Sequence, residues 1–280
     1  MRKSFLLSLT ALVFGMAGGV LRAFELRFGF EPDTGLPILG NGWTTALLIL
    51  CAAAAVLIGA LCFTRVKAAR AEAGAQYVSV SSAAHSGARV AASLLIAVSG
   101  VLGIIAWLDT PKATNLISSI LAIFAGFCLL ALAFDQKKGV VRQEDGFYAV
   151  VPVYWMAFFT IVFFQQCVAN PVTESYIHLL LGLICAMLAL FFFASHYNNR
   201  HKPGKTAFFS LMGAVLLLTS ALGALFAGRA AEDVQMNLTA LALIVLLFSN
   251  AVLIIDNNER ARRREADAPR SEENKEQEGE

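Results

Sequence analysis

Thr44-Thr-Ala-Leu-Leu-Ile-Leu-Cys-Ala-Ala-Ala-Ala-Val-Leu-Ile-Gly-Ala-Leu-Cys-Phe63 contains no charged side chain. A helix of about 20 apolar residues matches a bilayer hydrocarbon layer about 30 Å thick, so this stretch predicts a membrane span. On either side of it seven further runs meet the same length: about 5–24, 89–108, 115–134, 148–167, 175–195, 207–227 and 237–256. The chain is 58% hydrophobic and 15% charged, with a mean hydropathy of +0.66. A soluble domain is usually about 45–50% apolar. The expected fold class is therefore an all-α integral membrane protein with eight transmembrane helices.

Lysine and arginine set the expected orientation, because cytoplasmic loops carry their excess. Arg2 and Lys3, then Arg65, Lys67, Arg70 and Arg89, then Lys137, Lys138 and Arg142, then Arg200, Lys202 and Lys205, and finally Arg260 and Arg262 to Arg264 fall on one side. The other side has only Arg22, Arg27, Lys112 and Arg229. Both termini are thus expected in the cytoplasm. An alternative for the first run is a secretory signal, since Met-Arg-Lys precedes it and Ala17, Gly18 and Gly19 follow its core. Its apolar stretch exceeds the roughly 7–15 residues of a signal core, which favours a helix that stays.

Formal net charge is +2 with no basic stripe, which excludes a nucleic-acid footprint. Cys51, Cys62, Cys128, Cys167 and Cys185 all lie in apolar runs without a Cys-x-x-Cys pair, so they read as small buried hydrophobes rather than a disulfide frame or metal site. No catalytic residue, cofactor or metal is expected. His-Glu-x-x-His, Walker and dinucleotide motifs are absent from the sequence, and no span carries an acid near its centre. Ala97-Val-Ser-Gly100 approaches a rhomboid-type serine motif, but Ser99 and His178, the one histidine on the outer side, lie at different depths.

Three segments are specified more closely. Gly15 to Gly19 is a Gly-x-x-x-Gly, which lets backbones approach within lipid; packing inside the bundle, with the smooth second helix as partner, is expected over a homodimer seam. The outer loop carries Glu31-Pro-Asp-Thr-Gly35, a turn-forming sequence. The segment 64–88 opens with basic residues and turns Ser/Ala/Gly-rich, which reads as a flexible cytoplasmic lasso.

Landmarks recur across the two halves. Pro32-Asp-Thr34 matches Pro171-Val-Thr173, Asn115-Leu116 matches Asn237-Leu238, and Asp135 matches Asp256. They predict parallel four-helix repeats at 1–143 and 144–257. A basic-then-acidic tail at 258–280 is expected to be disordered beyond 264, with Arg262, Arg263 and Arg264 meeting anionic lipid headgroups.

The run Phe30-Glu-Pro-Asp-Thr-Gly-Leu-Pro37, following Glu25-Leu26 and a first membrane helix, resembles a segment of uncharacterised multipass membrane proteins of anaerobic Gram-positive gut-type bacteria. The resemblance implies a bacterial plasma membrane and no particular activity. Two functions follow from the residues. The first is a non-catalytic scaffold or regulatory subunit, binding protein partners through 64–88 and the tail. The second is a carrier or receptor for a small or amphiphilic molecule, with an outer vestibule built from Arg22, Glu25, Arg27, Glu31, Asp33, Gln166, Glu174 and His178. Ion pairing and turn capping at a membrane surface are the plainer roles for those eight residues.

Overall fold

Eight apolar runs become eight helices: α1 (Lys3–Phe28), α2 (Gly42–Arg65), α3 (Ala83–Asp109), α4 (Ala113–Lys138), α5 (Asp145–Cys167), α6 (Ile177–Tyr197), α7 (Pro203–Phe226) and α8 (Val234–Gln277). Each is long and apolar enough to cross a membrane, and the protein is an all-helical membrane protein. The computed structural model describes residues 3–31, 36–38, 40–66, 83–140, 142–168, 176–198, 200–229 and 234–277, with the backbone alone at 3, 83, 84 and 265–277. Among the described residues there is no strand, only an isolated antiparallel bridge between Phe30 and Pro37.

Local chemistry places the helix ends. Asn41 opens α2 by accepting the Trp43 backbone N–H at 3.0 Å, a side-chain cap for an otherwise orphaned donor. Pro203 stands in the first turn of α7, where its missing N–H costs nothing. Two boundaries differ from expectation. Residues 83–88 belong to the first turns of α3 rather than to a loop; the lasso's remaining core, 67–82, lies outside the described residues. The tail expected to be disordered continues α8 as helix to Gln277. Its Glu, Arg, Ala and Gln residues are good helix formers, and α8 enters that stretch already nucleated, which removes the costly step of helix formation.

The packing defines two faces of the bundle. Leu7, Cys62, Ala207 and Ile255 share one buried cluster, bringing the start of α1, the end of α2, the start of α7 and the membrane end of α8 together at what is here called the N-terminal face. The α1–α2 connection lies at the far face, where the rings of Phe24 and Trp43 stack at 4.9 Å. One large core joins α3, α4, α5, α6, α7 and α8 around Trp155, Met156, Leu183 and Leu243. A second joins α1 and α2 to α7 and α8. The pair α7 and α8 therefore belongs to both, and their apolar stretches are the most buried of the eight, at 56% and 72% against 28% for α2.

The partner of the α1 glycines is α7, not the second helix. A Cβ at Gly15 would sit 2.7 Å from Leu218 Cδ2, and one at Gly19 2.6 Å from Leu222 Cβ. Lipid offers no hydrophobic drive for helix association, so such backbone proximity and its dispersion contacts hold the seam. Gly19→Ala is expected to cost about 1–3 kcal/mol by overpacking. Gly59→Ala on α2 meets Phe208 only at 3.4 Å and should be neutral or gain slightly from helix propensity. Melting both variants in detergent checks this; equal melting temperatures would show that the seam tolerates a methyl group.

The duplication expected from the landmarks receives no matching packing. It would pair α3 with α5 as α1 pairs with α7, and α2 with α3 as α6 pairs with α7, and neither pair is in comparable contact. Two of its landmarks, 32–34 and 171–173, lie outside the described residues.

Candidate functional site: a polar vestibule at the far face

The last turns of α1 carry Arg22 and Glu25, which share a helix face at i, i+3. Arg22 Nη1 donates to Glu25 Oε2 at 2.5 Å, with the side chains 4% and 0% exposed. Arg22 can lie so close to α7 because residue 223 is glycine: a Cβ there would fall 2.7 Å from Arg22 Cβ. Buried His178 of α6 lies within electrostatic reach of both charges. Beside the pair opens a cavity of about 360 Å³, framed by α1, α5, α6, α7 and α8. Ligand sites usually fall at about 300–1,000 Å³. Arg22, Arg229, Gln166, Tyr176 and Asn237 supply its polar wall, and Leu26, Phe163, Leu179, Met236 and Ala240 much of its apolar wall. The described lining holds two guanidiniums and no carboxylate, while Glu25 balances Arg22 from behind.

The structure sorts the eight expected residues. Arg22 and Gln166 line the cavity, Glu25 stands behind Arg22, and His178 packs beside them. Gln166 also donates to Asn115 Oδ1 at 3.0 Å, tying α5 to α4. Arg27 does not line the vestibule: its Nη2 donates to the Phe226 carbonyl, because a guanidinium is favoured at the carbonyl-rich C-terminus of α7. Glu31 is turned to the surface, and its backbone N–H bonds to the Leu36 carbonyl at 2.9 Å. Asp33 and Glu174 lie outside the described residues. Arg229 was expected on the outer side and Asn237 at the start of the last span, neither as part of the site, and Tyr176 carried no expectation. Asn237 at the start of a span and Arg229, one of only four basic residues on that side, were the available signals.

A second polar group sits near the N-terminal face. Arg89 is 1% exposed, donates from Nη1 to Asn250 Oδ1 at 2.6 Å and lies 4.8 Å over the Phe193 ring. Gln136 Nε2 donates to Tyr197 Oη at 2.5 Å, and His196 Nε2 is 3.0 Å from Thr206 Oγ1. Burial lowers the pKa of the neighbouring His201. Arg89 was expected at the very start of the third span; because α3 begins at Ala83, it stands almost two turns inside the helix. Among the described residues no group of three or more His, Cys, Asp or Glu is placed to hold a metal ion.

Fold and site together define a multi-pass helical membrane protein with a cavity entered from one face. No protein-family model, curated protein or solved structure matches this chain.

Proposed function

We propose that this protein is a receptor or carrier for a small amphiphile with an anionic head, taken into the far-face vestibule, and that this face is outside a bacterial plasma membrane with both termini cytoplasmic. The observation that carries the reading is the cavity itself, which combines two guanidiniums with an apolar floor inside a bundle of five helices. Charge-assisted bonds to arginine hold a phosphate or carboxylate, while the apolar walls accept a chain. The positive-inside distribution supports the orientation. A scaffold role through 64–88 and the tail is the reading that stands if the vestibule binds nothing.

Lysophosphatidylglycerol should raise the melting temperature of the detergent-solubilised protein more than lysophosphatidylcholine of the same chain length. Arg229 is exposed, so Arg229→Gln should erase that difference and barely move the ligand-free melting temperature. No ligand-dependent shift with either lipid would leave the scaffold. Right-side-out vesicles test the orientation, since the anionic lipid should then act when added outside.

A further inference from the structure

One face of α1 runs unbroken through Ser8, Leu12, Gly15, Gly19, Arg22 and Leu26, residues spaced alternately four and three apart, which keeps them on one side of a helix. Its last two residues line the vestibule. Its first two line a separate apolar groove of about 510 Å³ that α1 shares with α3, α7 and α8 on the N-terminal side. Its middle two are the glycines seated on Leu218 and Leu222 of α7. The neighbouring helices repeat the arrangement. On α8, Ala240 faces the vestibule and Ile244 the groove, one turn or about 6 Å apart along the axis. On α7, Ala221 and Leu218 divide in the same way. A single helical turn, at the level of the glycine seam, therefore separates two cavities, one on the far-face side of the seam and one on the N-terminal side.

The groove has the polarity of a lipid site. Leu12, Leu218, Val245 and Phe248 form its mid-bundle part, while Ser8 and His85 stand at the N-terminal face. Ser249 also lines it, 5% exposed and with its hydroxyl oxygen lacking a partner among the described residues. An acyl chain fits this surface, with its headgroup outside the groove at the N-terminal face.

We propose that groove and vestibule are the two ends of one passage, and that α1, rocking on its glycine seam over α7, lets an anionic phospholipid equilibrate between the leaflets. The proposal rests on the vestibule reading and adds movement to binding. The glycines suit the role because at this level α1 presents no side chain to interlock with Leu218 and Leu222 of α7. At the same time α8 is anchored to α3 through Asn250 and Arg89.

The test uses the full chain in vesicles containing phosphatidylglycerol with an NBD label on one acyl chain, bleached from outside by dithionite. The parent protein should expose the inner-leaflet label, which protein-free vesicles keep protected, and should do so more slowly for labelled phosphatidylcholine. A Cβ at Gly15 lies 3.2 Å from Leu218 Cβ, slightly inside the roughly 3.5–4.5 Å of disulfides. Gly15→Cys/Leu218→Cys, made after replacing the five native cysteines with Ala, should lose transfer when oxidised and regain it on reduction. Val245→Trp, which fills the groove without touching the vestibule, should also lose transfer and keep the thermal response to lysophosphatidylglycerol. Thermal response without transfer in the parent overturns the passage and leaves the receptor. Transfer unchanged by both the closed disulfide and Val245→Trp overturns it as well, and the absence of both response and transfer overturns both readings.

Discussion

Glu25→Gln should destabilise the protein by about 3–5 kcal/mol, because it removes the carboxylate that compensates a guanidinium already withdrawn from solvent. The Arg22 side chain is 4% exposed and wedged over Gly223, so it has no easy route back to water. Arg22→Gln should cost a similar amount for the mirror reason: Glu25 is fully buried, and its Oε1 has no hydrogen-bond partner among the described residues. Arg22→Gln/Glu25→Gln should recover most of the loss, giving a strongly non-additive cycle of the kind expected for touching residues. Arg27→Gln, by contrast, removes a helix-terminal contact worth about 0.3–1 kcal/mol. Melting the five proteins in one detergent measures all of this. The recovered double variant also separates folding from binding: its preference for lysophosphatidylglycerol should fall although it melts near the parent. A cycle that comes out additive would mean that the pair is solvated and does not set the character of the vestibule.

The helices were legible because span length and charge exclusion are imposed by the solvent. A run such as 44–63 has no other stable use, and each expected run lies within or overlaps one observed helix. The ion pair of Arg22 and Glu25 is local, set by helical spacing alone. What could not be read was which helix neighbours which. The glycines of α1 announced a close partner but did not name it, and α2 and α7 are both smooth enough to serve. Arg27 was misplaced for the same reason, since its acceptor, the Phe226 carbonyl, lies 199 residues away in the chain. Arg89 escaped because Ala83-Ala-His-Ser-Gly-Ala looks like loop by composition. It becomes helix once Asn250 and Phe193 supply partners that reward burying the arginine. In the tail, composition suggested disorder beyond 264, whereas the backbone there continues α8 as helix to Gln277.

Asn250→Leu carries the other large expected effect. It removes the amide oxygen that holds Arg89 Nη1 at 2.6 Å and leaves a 1%-exposed guanidinium over the Phe193 ring, with its Nε already lacking a partner among the described residues. Stranding a buried charge in this way costs about 3–5 kcal/mol. The ring alone replaces little of that, since a cation over an aromatic face contributes about 0.5–2 kcal/mol. Arg89→Met keeps most of the side-chain length and leaves only the neutral Asn250 amide unpaired, so it should cost less, about 1–3 kcal/mol. Arg89→Met/Asn250→Leu should then stand at or above Arg89→Met in stability, because replacing a buried polar pair by apolar groups of similar volume is often neutral or favourable. The order Asn250→Leu below Arg89→Met below the double variant is thus the signature of a buried charge that a single amide keeps in place. If Asn250→Leu melts with the parent, the guanidinium reaches water or another acceptor, and α3 is joined to α8 by packing alone.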